Sequence, residues 1–259
     1  MNAKLRQSGL RNRPRRSGLS LIEQAVVVAA IALLVAVSLP AVRSFIKSIE
    51  AQGGSKAMIN AALAAARATA AQHQRYAGIR FQHAYYTDDP CNSPLKAPQY
   101  MIFIVYEEPS KMRGLTTGFR AVEGVEPIKL PDSVGVMEVV DNDGDIDDSP
   151  SGELVEKTTF SIIFSPSGKM VIHDVHTRNR DGIPTLTTSK DDIFNVRPNV
   201  ANGIGMFVQD SANEASRNSF RIYDRDIFGK VDSGQRCTDY LDSLETIYIN
   251  PYTGTIIDR

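Results

Sequence analysis

From Leu19 to Leu39 the chain carries one charged side chain, Glu23, and Ala25 to Val37 is unbroken apolar sequence. Twenty-one helical residues span ~30 Å, the thickness of a bilayer's hydrocarbon core. Ahead of this segment stand Lys4, Arg6, Arg11, Arg13, Arg15 and Arg16, with no acid through residue 18. The whole chain has 29 basic and 30 acidic residues, so everything after residue 18 has a formal charge of −7. A basic tail on an acidic body reads as a nucleic-acid arm or a targeting leader. The apolar segment directly behind it excludes the arm. The basic flank is expected to stay in the cytoplasm and the body to lie on the far side.

The residues alone leave three readings of this start. One is a signal anchor. Another is a secretory signal cut at the small-x-small site Ala36-Val37-Ser38. The third turns on Glu23, because a carboxylate inside an apolar helix costs ~2.5–3.5 kcal/mol near the bilayer centre. No basic residue follows within fifteen positions to answer it. The string Ser17-Gly18-Leu19-Ser20-Leu21-Ile22-Glu23, behind its basic leader, resembles the type IV prepilin signature. The resemblance implies that prepilin peptidase cuts between Gly18 and Leu19 and N-methylates Leu19, where most family members have Phe. It places Glu23 at the family's glutamate, fifth in the mature chain, and Pro40 at its helix-kinking proline. It also gives Glu23 a partner, the N-terminal amine of an adjacent subunit, and opposite charges attract strongly at low dielectric.

Pro40 should bend the helix, and Gly53-Gly54 weakens it again, at ~1 kcal/mol per Gly against Ala. Ser55 to Tyr76 has nine alanines and no proline. Ile59, Leu63, Ala66 and Ala70 share one face of that helix, and Asn60, Arg67 and Gln74 repeat every seven residues on another. Beyond it the period falls to two. Tyr100–Tyr106, Val134–Val140, Thr159–Ser165, Lys169–Val175, Phe220–Tyr223, Thr246–Ile249 and Thr255–Ile257 read as strands, with hairpin turns at Pro166-Ser167-Gly168 and Asn250–Gly254. The loops 84–98, 107–124, 141–157 and 177–202 read as insertions. The Ala-rich helix, Leu130-Pro131 and Phe164-Ser165-Pro166-Ser167-Gly168 are similar to the GspH/FimT-like minor pilins and type II secretion pseudopilins.

The expected architecture is α+β. Residues 1–18 form a leader. Residues 19–78 form one long helix, transmembrane over 19–39 and amphipathic over 55–77, kinked at Pro40 and near Gly53-Gly54. Residues 79–259 form an antiparallel, pilin-like head packed on that helix. The resemblance implies a non-enzymatic minor pilin or pseudopilin, with other pilins, prepilin peptidase, the assembly platform and the inner membrane as partners. It implies an inner-membrane, single-pass protein with a periplasmic head before assembly. A membrane-anchored or secreted periplasmic binding module, with or without calcium dependence, is the alternative.

Candidate chemistry is sparse. Cys91 and Cys237 are the only cysteines, and an oxidising compartment would favour a bridge between them. Asp141, Asp143, Asp145 and Asp147 supply hard oxygen ligands of the kind Ca²⁺ takes. The EF-hand frame fails, since Val139 and Pro150 fall on its ligand positions, so a solvated acidic turn competes with a calcium loop. His173 and His176 are spaced for opposite faces of a strand. Arg178, Arg180 and Lys190 could form a local basic patch, but the acidic body opposes phosphate binding. No nucleophile, metal-protease or nucleotide-loop motif occurs, and no cofactor is expected beyond a Ca²⁺ ion in the acidic loop.

Overall fold

The computed structural model of the protein describes residues 25–27, 53–86, 95–139, 146, 152–183 and 188–257. The chain divides into two units, Met1–Lys47 and Ser48–Arg259. In the first, residues 25–27 are helical.

The second unit opens with helix α1 over residues 53–73. Its alanines favour the helix and let it sit close to what it covers. Ile59, Leu63, Ala66 and Ala70 are each 0% exposed. The polar stripe latches the helix sideways. Asn60 Oδ1 accepts from the Ile256 N–H at 3.2 Å, and Arg67 donates to Gly168 O at 2.9 Å and to Thr253 O at 2.8 Å. The helix stops before the expected residue 77, because Gln74 takes a left-handed φ of 53°. Strand β1 (Ala77–His83) follows at once.

Thirteen further strands follow among the described residues. They are β2 (Gln99–Tyr106), β3 (Gly118–Ala121), β4 (Ile128–Lys129), β5 (Val134–Glu138), β6 (Phe160–Phe164), β7 (Met170–Val171), β8 (Asp174–Thr177), β9 (Phe194–Asn195), β10 (Phe207–Val208), β11 (Glu214–Ala215), β12 (Ser219–Asp224), β13 (Thr246–Ile249) and β14 (Ile256–Ile257). The other helices are short: α2 (Glu153–Thr158), α3 (Arg197–Ala201) and α4 (Arg225–Phe228). The main sheet runs β11-β8-β3-β2-β1-β6-β7, with β4 also on β2. A second sheet runs β14-β13-β12-β5, and β9 pairs with β10.

Consecutive strands β7 and β8, separated only by Ile172 and His173, occupy far-apart places on the main sheet. So short a link requires the sheet to curl until those ends approach. Ser216 stitches that seam. Its hydroxyl accepts from His173 N–H (2.9 Å) and donates to Val171 O (3.1 Å), and its own N–H donates to His173 O (2.9 Å). Gln99 joins the two sheets in the same manner. Its amide accepts from Val136 N–H and donates to Val136 O and Thr158 O, all within 2.8 Å. One core cluster unites the apolar face of α1 with Ile79, Phe81 and Phe164 of the main sheet and Val136, Phe220 and Ile247 of the second. The opposite face of the main sheet packs Ile104, Phe119 and Ile163 against Phe194 and Phe207.

Three expectations are corrected. The head is a curled mixed sheet of many strands with short helices, not a small antiparallel sheet on one long helix. The pairs β3–β8 and β9–β10 are parallel. No long apolar helix occurs among the described residues, and none there is long and apolar enough to cross a membrane. The transmembrane character and the single-pass inner-membrane localisation are corrected on that finding. Residues 19–24 and 28–39 of the expected span lie outside the described residues.

Candidate binding cleft

Strand β1 alternates as a half-buried strand should. Ile79 and Phe81 enter the core under α1, and Arg80 and Gln82 take the other face. That face is not solvated, because the segment around β10 and β11 lies over it. Arg80 is 1% exposed. Its Nε donates to Gln82 Oε1 (2.8 Å), its Nη1 to Ser161 Oγ (3.2 Å) and Glu214 Oε1 (2.5 Å), and its Nη2 to Asp210 Oδ1 (2.5 Å). The other oxygen of Asp210 accepts from the N–H and hydroxyl of Thr177 at 2.6 and 2.7 Å. Burial pulls the guanidinium pKa down, but Asp210 and Glu214 outweigh it and the net shift is upward, so Arg80 stays charged. Burial raises the Glu214 carboxyl above its ordinary range, against the pull of Arg80.

Above this network opens a cavity of about 530 Å³. Its rim includes Arg217 and Lys157, both bonded to Glu138, the latter at 3.2 Å. The Arg197 guanidinium stands 6.0 Å from the centroid of the Tyr85 ring. His83, at the end of β1, also lines the cavity. Its Nδ1 lies 2.8 Å from Ala97 O, so that nitrogen carries the proton, while the buried Nε2 has no partner. Burial and then the Arg225 cation lower its pKa to about 4, against the bond to Ala97 O, so the ring is neutral near pH 7.

The residues singled out from the sequence lie elsewhere. Gly18, Leu19, Glu23, Pro40, Cys91, Asp141, Asp143, Asp145 and Asp147 are outside the described residues. Cys237, half of the expected bridge, is a free buried cysteine packed with Met137, Leu154 and Phe228, and burial raises its thiol pKa. The His173 ring lies tilted against Tyr76, with centroids 4.4 Å apart, and His176 Nδ1 lies 3.0 Å from Asn213 Oδ1. Arg180 sits between Glu123 and Asp192, at 3.7 and 3.6 Å. No group of three or more His, Cys, Asp or Glu able to hold a metal occurs among the described residues.

The cleft is not anticipated in the sequence, because the helix is expected to run to residue 78, the first expected strand is Tyr100–Tyr106 and none is expected over residues 79–83, which lie in β1. Gly78-Ile79-Arg80-Phe81-Gln82 does alternate with period two, which is the signal that could have found it. No family model, curated protein or solved structure matches the chain.

Proposed function

We propose that this chain is a structural subunit of a pilin-type filament, a minor pilin or pseudopilin of the GspH/FimT-like kind. It is processed after Gly18 and assembled through the segment that begins at Leu19. The observation that carries this reading is the fixed spacing of Gly18, Leu19, Glu23 and Pro40 behind a leader with six basic residues. Other pilins, prepilin peptidase and an assembly platform are the partners. An assembly subunit must transmit load from its N-terminal segment to its head. Helix α1 supports such a role, because its apolar face is consumed by both sheets and Asn60 and Arg67 tie its flank to two turns.

The test is mass spectrometry of the mature N-terminus from the native host. N-methylated Leu19 is the expected result. An intact basic leader, or a start at Leu39, overturns the reading. Glu23→Ala should lower incorporation into filaments, and incorporation at the parental level would remove the electrostatic role of that carboxylate. A second reading, a secreted binding module, is favoured by the polar cleft over Arg80, and a start at Leu39 would support it.

A further inference from the structure

The geometry points to the cleft over Arg80 as a binding site for a neutral, hydroxyl-rich ligand, a short uncharged oligosaccharide. This deepens the binding-module reading but rests on the cleft alone, so it stands or falls independently of how the leader is processed.

Four cationic and four carboxylate side chains line the cavity, so the wall has no net charge to offer an ion. The charges at its floor are already answered inside the protein. Four of the five guanidinium donors of Arg80 are engaged, by Gln82, Ser161, Glu214 and Asp210, and Glu138 takes both Arg217 and Lys157. An ion bound at that floor would have to break one of these pairs to form its own. A hydroxyl donates and accepts at once, so it can add to carboxylates and guanidinium groups that are already paired.

Tyr85 adds an aromatic ring for the C–H face of a sugar. The size falls in the range of small-ligand sites, about 300–1,000 Å³. Strand β1 at the floor is paired on one side with β2 and on the other with β6, so that strand offers no edge for an added strand.

The experiment uses the full-length chain. It is screened on an array of neutral and acidic oligosaccharides, and the best neutral glycan is then titrated calorimetrically. The expected result is a neutral oligosaccharide with a Kd of about 1 mM or tighter, changed by less than about twofold at roughly 0.5 M NaCl, because no ion pair to the ligand is screened. Tyr85→Ala and Arg217→Ala, both at half-buried positions, should each weaken it about tenfold while still folding cooperatively. Thermal unfolding of each variant separates lost binding from lost structure. The proposal is overturned by an array that captures nothing, by capture confined to acidic glycans, or by parental affinity in both folded variants.

Discussion

Arg80 shows how one residue can be both the most costly and the most constrained in a fold. A buried cation is tolerated only when its partners are in place, and removing one member strands the others. Arg80→Met should therefore destabilise the protein by about 3–5 kcal/mol, and the triple change with Asp210→Asn and Glu214→Gln should recover part of that loss. Chemical denaturation measures both, and an Arg80→Met variant within about 1 kcal/mol of the parent would show the network to be dispensable.

Two other side chains set the acid limb of stability. The His83 pKa is near 4 when folded and 6.5 when unfolded, so the unfolded chain takes up the proton first. Its contribution is present above pH 6.5 and is lost as pH falls toward 4. Glu107 is 2% exposed. Burial alone would raise its carboxyl, but Arg120, the Glu108 N–H and Lys111 overcome this and hold it at about 2, against an ordinary 4.5. Its contribution is lost as pH falls from 4.5 toward 2. Denaturation midpoints measured from pH 8 to pH 3 should fall in two stages, and His83→Gln should flatten the upper stage only. A single stage in the parent would refute the assignment. Neither residue stood out in the sequence, because each gains its role from groups brought to it by folding.

At the scale of elements, α1 divides its labour between two stripes. The alanine stripe sets distance, so Ala70→Leu should overpack the core and cost about 1–3 kcal/mol. Ala64→Leu, on the exposed side, should stay within about 0.5 kcal/mol. The polar stripe sets rotation. Arg67→Ala removes two bonds from a guanidinium to turn carbonyls and should cost about 1–3 kcal/mol. Thermal melts rank these three, and equal melting points for Ala70→Leu and Ala64→Leu would contradict the packing. Close approach matters elsewhere too. A Cβ at Gly78 would lie 2.1 Å from Ile162 O, so the β1–β6 pairing needs glycine there. Gly168 holds φ +76° in the turn that Arg67 grips. Both stripes of α1 were visible in the sequence because helical periodicity is local. The helix end was not, since nothing around Gln74 announces a left-handed residue.

For the whole molecule, the decisive contacts join segments far apart in the chain. Gln99 replaces a missing rung between the two sheets, so Gln99→Leu leaves Val136 N–H, Val136 O and Thr158 O buried without that partner. Each such group costs about 1–3 kcal/mol. Faster amide exchange in β5 and β6 than in β2 is the expected signature, and unchanged protection in β5 would sink the idea. The buried face of α1 and strands such as β2, β6 and β13 were legible in the sequence, because each is written in neighbouring residues. The parallel pairing of β3 with β8, the seam between β7 and β8, and the burial of Arg80 were decided only by tertiary structure. Arg80 lies 130 residues from Asp210 and 134 from Glu214, and no local period encodes a partner at that distance. An arginine between two apolar residues reads as a solvent-facing position until the segment that covers it is in place.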